Sequence, residues 1–282
     1  MKFTSCIAAC LLAAMAGSAH ADLQEGRTAY AAQDWRSAYR EFLPLAKAGN
    51  PEAQTIIGLL YTQGHGVWRN NTQAAQWLQL AAAQGWAEAQ EALGKLYHDG
   101  VGVPKDPAQA LQLFQAAAAQ GLALAQYDLG VLYAAGDGVP QDFHEAAHWF
   151  ELGARQNLAA AQYNLGLLYQ NGQGVKHDDQ EARRLYQAAA AQGDTLAQSN
   201  LGTLYEGGIG GLPRNFVVAY ALYDLAAAQP SPAVALALKN RDLLASRLSP
   251  EEIRAARALR RTMAAGPLST AIEQYLAGTA KR

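Results

Sequence analysis

One string in the chain has the residue types and spacing of a catalytic metal site: His144-Glu145-Ala146-Ala147-His148. On a helix, histidines four apart share a face and can both bind zinc while the glutamate acts as general base. Such a site needs a third ligand and a cleft, and the extended form would place histidine at 154, where Ala154 stands. The residues in register with His144 are Thr72, Ala108 and Gln180, and those in register with His148 are Gln76, Gln112 and Arg184. These are solvent-facing choices, so both histidines are expected on a solvated surface. His98-Asp99 and His177-Asp178-Asp179 lie more than two repeats apart with no ligand spacing between them. No G-x-x-x-x-G-K-[ST] phosphate loop occurs, and the glycine-rich stretch Gly207 to Gly211 lacks the lysine. The chain is therefore expected not to be an enzyme, with no catalytic residue, no metal and no cofactor.

The elements that carry these residues recur. Glycine falls at Gly58, Gly94, Gly130, Gly166 and Gly202, 36 residues apart each time. A period in that range marks stacked supersecondary units. In the fourth copy Ala161, Leu165, Leu168 and Tyr169 fall on one face of a helix, called A, with Gly166 at its edge. A glycine inside a helix costs about 1 kcal/mol relative to alanine, so the column implies close approach of a neighbouring helix that a Cβ would prevent. Helix A stops at Gly172, with equivalents Gly64, Gly100, Gly136 and Gly208 suited to the left-handed end of a helix. Asp178 then caps a second helix, B, as Asn70, Asp106 and Asp142 do in their copies. Helix B buries Ala182, Leu185, Tyr186 and Ala189. Each antiparallel pair is too small to stand alone and is stable only when stacked.

The string AQYNLGLLYQNGQGVKHDDQEA, beginning at Ala161, resembles the repeat of the Sel1-like family, a relative of the tetratricopeptide class. Five copies follow: 53–88, 89–124, 125–160, 161–196 and 197–232. Asn157 and Pro230 depart from the closing glycine, and the fifth loop carries one extra residue. The resemblance implies an all-α, right-handed superhelical solenoid with helix A lining the concave side, and roles in scaffolding and partner recognition. One secreted, cysteine-rich branch of the family is linked to β-lactam hydrolysis. This chain lacks the paired cysteines of that branch, and a cell-envelope hydrolase, β-lactamase-like or zinc-dependent, is the disfavoured alternative.

Residues 1–21 read as a secretory signal peptide, with Lys2, an apolar stretch and the cleavage site Ala19-His20-Ala21. The apolar run is too short to span a membrane. The competing reading is a lipoprotein box, Ile7-Ala8-Ala9-Cys10, which would make the chain an outer-membrane lipoprotein. Cleavage after Ala21 removes both cysteines and leaves 21 basic against 24 acidic residues, a net charge of −3. That balance, with no basic stripe, argues against nucleic acid. A periplasmic or secreted location is expected.

Residues 22–52 read as an N-terminal capping pair, with Tyr30, Trp35, Tyr39, Phe42 and Leu45 packed on the first repeat or, alternatively, forming an aromatic ligand site. Pro44 should kink its second helix or shift its end. Residues 233–282 read as C-terminal capping helices: one over 233–248 with Val234, Leu236, Leu238, Leu243 and Leu244 apolar, one opened by the capping box at Ser249, and a last one from about 270 to 277. Arg254, Arg257, Arg260 and Arg261 would supply the polar outer face or a basic docking patch.

The candidate binding surface is the helix A stripe turned from the core. It reads Glu88, Glu91, Lys95, His98 in the second copy; Leu124, Tyr127, Val131, Ala134 in the third; Ala160, Tyr163, Leu167, Gln170 in the fourth; and Leu196, Ser199, Thr203, Glu206 in the fifth. Its apolar middle could seat a peptide, with Asp128, Asn164 and Asn200 bonding the peptide backbone; the same tyrosines could equally be packing residues. The expected partner-binding set is Tyr127, Asp128, Val131, Tyr163, Asn164, Leu167 and Gln170, on a monomeric adaptor for a protein, peptide or envelope component.

Overall fold

The computed structural model describes residues 23–231 and 234–279. The expected leader through Ala21, with Cys10, lies outside the described residues, as does the very C-terminus. Among the described residues the chain forms fifteen helices and no strand. It divides into two compact units, with the break between Gln126 and Tyr127.

The first unit holds α1 (23–31), α2 (Trp35–Lys47), α3 (Pro51–Gln63), α4 (Asn71–Ala83), α5 (Ala87–Asp99) and α6 (Pro107–Ala119). Helix α7 (Ala123–Ala135) crosses the break. The second unit continues with α8 (Phe143–Arg155), α9 (Ala159–Asn171), α10 (Asp179–Ala191), α11 (Thr195–Gly207) and α12 (Phe216–Ala227). It ends with α13 (Val234–Ala245), α14 (Pro250–Ala265) and α15 (Leu268–Thr279). The last helix is thus longer at both ends than its pattern suggests.

Short polar side chains start the B helices. Asn70 and Asp106 each accept a hydrogen bond from a backbone N–H three residues on, at 3.0 Å, and Asp142, Asp178 and Asn215 repeat the device. At the other end of the loop, Gly172 closes α9 with φ 66°, a conformation that costs glycine least. The second loop glycine is bound by space as well. A Cβ on Gly174 would run into the carbonyl oxygen of Phe143, so the loop lies directly on the start of α8.

The glycine column in the A helices marks the close approach of a neighbouring helix that its spacing implies. A Cβ on Gly166 would lie 2.8 Å from Cε1 of Tyr186, and the other four glycines meet Leu78, Phe114, Phe150 and Tyr223 in the same way. What fills the space over each glycine is chiefly one large side chain from the B helix of the same pair, joined at Gly58 and Gly202 by a backbone carbonyl of that helix. Tyr186, Phe150 and Tyr223 are almost wholly buried, so there is no room to give way.

A second column staples pair to pair. Gln54, Gln90, Gln162 and Gln198 are buried, and each side-chain amide donates to a carbonyl at the end of the preceding helix: Ala46, Ala82, Ala154 and Ala190. The free oxygens of Gln54, Gln90 and Gln162 accept from Gln84, Gln120 and Gln192, at 2.8 Å each time. Asn157, which replaces a glycine at φ 63°, joins the ladder by accepting from Gln162 and Gln192. Buried amides are tolerated because their polar atoms find partners.

The N-terminal aromatic residues pack on the first repeat. Phe42 is fully buried. Burial, together with a 2.9 Å hydrogen bond shared with Tyr61, pushes the Tyr39 hydroxyl up to about 12. Pro44 sits inside α2, which runs on to Lys47. At the C-terminus α12 is apolar all round and buried from Val217 to Tyr223, the mark of a helix enclosed by others. Helices α13 and α14 cover it. On α13 the core contacts come from Ala237 and Leu244, whereas Leu236 and Leu243, read as part of the apolar set, are exposed. Arg260 also departs from its expected place on the outer face. It is half-buried, 3.7 Å from Asp224, whose other oxygen accepts from Arg241 at 3.0 Å. Arg254, Arg257 and Arg261 are exposed.

Candidate partner-binding face

His144 and His148 lie in the first half of α8, both exposed, with His148 set edge-on to Trp149 at 5.3 Å. Ala146, Ala147 and Phe150 carry the buried side of that helix. Among the described residues no group of three or more histidine, cysteine, aspartate or glutamate side chains is placed to hold a metal ion.

The residues expected on the binding stripe are held by the second unit in unequal ways. Val131 on α7 is exposed. Tyr127 and Asp128 are half-buried, and the Tyr127 ring lies 5.9 Å from that of Phe150. On α9 the Tyr163 ring sits 5.9 Å from Tyr186, and burial raises the pKa of its hydroxyl. Leu167 is half-buried against the cluster built by α10 to α15 rather than turned wholly to solvent. The polar members are already engaged. Asn164 donates to the Ala160 carbonyl at 2.8 Å, and Gln170 accepts from the Tyr186 hydroxyl at 2.7 Å. Asn200, read as open to a peptide backbone, bonds the hydroxyls of Tyr163 and Tyr186. Two further stripe residues are buried instead of solvated: Ser199, and Glu91, which pairs with Lys95.

In the first unit the same stripe opens into a groove of about 410 Å³ bounded by α1, α3 and α5. Counting back from the fourth copy, the stripe on α3 is Glu52, Thr55, Leu59 and Thr62. Glu52, Thr55 and Leu59 line the groove together with Ile56 of the same helix. Tyr30 of α1 and Trp86, the N-cap of α5, add aromatic surface, and both are half-buried. Arg27 grips Glu52 with two hydrogen bonds, at 2.7 and 2.5 Å. Glu88 completes the rim and is exposed. A signal for this site does stand in the sequence. Trp86 occupies the position that Asn50, Leu122, Leu158 and Asp194 hold elsewhere. It makes no side-chain cap bond, whereas Asn50 and Asp194 do.

The Sel1 repeat family matches residues 51–86, 87–122, 123–158, 159–194 and 195–231, well over half of the chain. The chain belongs to the Sel1 repeat family. Each match opens at the start of an A helix and closes just before the next. Among solved structures, a Sel1 repeat protein from Oxalobacter formigenes is 32 % identical, with a TM-score of 0.70, over 78 % of this chain and 86 % of that one. A protective antigen present in uropathogenic Escherichia coli strains, displaying an SLR fold, is 30 % identical with a TM-score of 0.72. That match covers 92 % of this chain but only 56 % of the antigen, so the Sel1 chain spans little more than half its length. No curated protein matches the chain in sequence. Sel1 repeats form an all-α solenoid fold and serve in general as protein-interaction scaffolds. No helix among the described residues is long and apolar enough to cross a membrane.

Proposed function

We propose that this Sel1 repeat protein is a periplasmic or secreted adaptor that captures a protein, peptide or envelope component on the open face of its A helices. The observation that carries the reading is the groove between α1, α3 and α5, where aromatic, apolar and charged side chains converge on the face that the repeat leaves uncovered. In the second unit Val131 of α7 is exposed as well. Binding sites of this kind combine apolar contact area with a few placed polar groups. The adaptor acts as a monomer, without catalysis.

Capture from an envelope extract tests the reading when face-directed variants are compared. Val131→Glu places a charge on the exposed stripe and should leave stability within about ±0.5 kcal/mol of wild type while weakening capture. Gln76→Glu, on the exposed side of α4, should change neither. Equal capture by all three would remove the exposed α7 stripe from the function. The location has its own measurement: exported protein should begin at Asp22 by intact mass, and a diacylated chain beginning at Cys10 would make it a lipoprotein.

A further inference from the structure

We infer that the groove between α1, α3 and α5 is a receptor for one basic side chain, lysine or arginine, of a partner peptide. The inference rests on the adaptor reading and names what the adaptor's first unit selects.

Three features of the groove point to a cation. Tyr30 and Trp86 bring two aromatic side chains to it, and a guanidinium or ammonium over an aromatic face is attracted by the ring quadrupole, most strongly over tryptophan. Ile56 and Leu59 offer apolar surface to the methylene stem that such a residue carries. The charges then set the sign. Arg27 is closed on Glu52 by a two-bond pair, so the two charges offset one another at the groove wall. Glu88 is left exposed, with no ion pair among the described residues, so the groove carries one excess negative charge. An acidic peptide would meet that carboxylate unfavourably, and a purely apolar one would leave it without a partner.

Trp86 strengthens the case by its position. Its counterparts are helix caps or leucines, and a leucine there would supply the packing contact with the core of the pair. An indole extends beyond that need and lines the groove. Glu88 likewise stands where later copies have Leu124, Ala160 and Leu196. The cation-receiving features are confined to the first repeats.

The test is a random heptapeptide display library panned on the immobilised full-length protein, followed by calorimetry on the enriched peptides. Enriched sequences should carry lysine or arginine. Replacing that residue with acetyl-lysine or citrulline should weaken binding on the order of tenfold. Glu88→Gln and Trp86→Leu, the second importing the residue of later repeats, should each reproduce the loss with an unchanged melting temperature. Peptides enriched without a basic residue, or basic peptides that ignore Glu88→Gln, would overturn this inference and leave the adaptor reading standing. No enrichment at all would count against both.

Discussion

Asp194 caps α11 by accepting the Ala197 N–H at 2.7 Å, yet burial raises its pKa against the help of the backbone bonds. A raised carboxyl pKa means that the folded chain binds its proton more readily than the unfolded one, so stability falls as pH rises through the folded-state value. Asparagine occupies the equivalent position at Asn50 and caps α3 equally well. Asp194→Asn should therefore raise the melting temperature at pH 7, with the gain shrinking as pH drops below the carboxyl range; an unchanged difference across pH would contradict the burial account. The glycine column gives a second prediction at this scale. A Cβ on Gly130 would lie 2.5 Å from two carbons of the Phe150 ring, which is 1 % exposed. Gly130→Ala should cost about 1–3 kcal/mol by overpacking, read by thermal unfolding. Gly278→Ala, where nothing lies within 4 Å, should cost nothing.

Between elements, the glutamine ladder joins each helix pair to the one before. Gln162 donates to Ala154 and Asn157 and accepts from Gln192, so removing its amide takes three hydrogen bonds out of the ladder at once. Gln162→Met keeps the volume and should cost about 1–3 kcal/mol. A double-mutant cycle with Gln192→Met should show that the two losses do not add, because the residues in one network share partners. Strict additivity would mean that the ladder contributes nothing as a unit. The period-36 glutamines were readable in the chain, but their role was not. A buried amide and an exposed one look alike until the carbonyl that receives each is placed.

For the molecule as a whole, the terminal helices decide whether the array can end in water. Helix α12 is enclosed by α11 on one side and by α13 and α14 on the other, and Asp224 near its end is bracketed by Arg241 and Arg260 from the covering helices. A chain cut after Ala228 should lose cooperative unfolding and aggregate, because it exposes a continuous apolar surface. Light scattering and a thermal scan would check it, and a monomeric truncated chain with a sharp transition would be the contrary result.

The sequence by itself determined the helix pairs, their starts and stops, and the period. These are local matters: an aspartate three residues before a bare N–H, a glycine at a left-handed turn, apolar residues at helical spacing. Tertiary structure alone decided which stripe residues are free. Leu167 and Gln170 are taken up by neighbours and Asn164 bonds back to its own helix, while Glu52, Leu59 and Trp86 surround open space. The reason is that availability depends on what the next helix brings to the same spot. Tyr186 brings a ring and a hydroxyl to α9, whereas α1 and α5 bring Tyr30 and Trp86 to the edge of α3 and stop short of filling the groove.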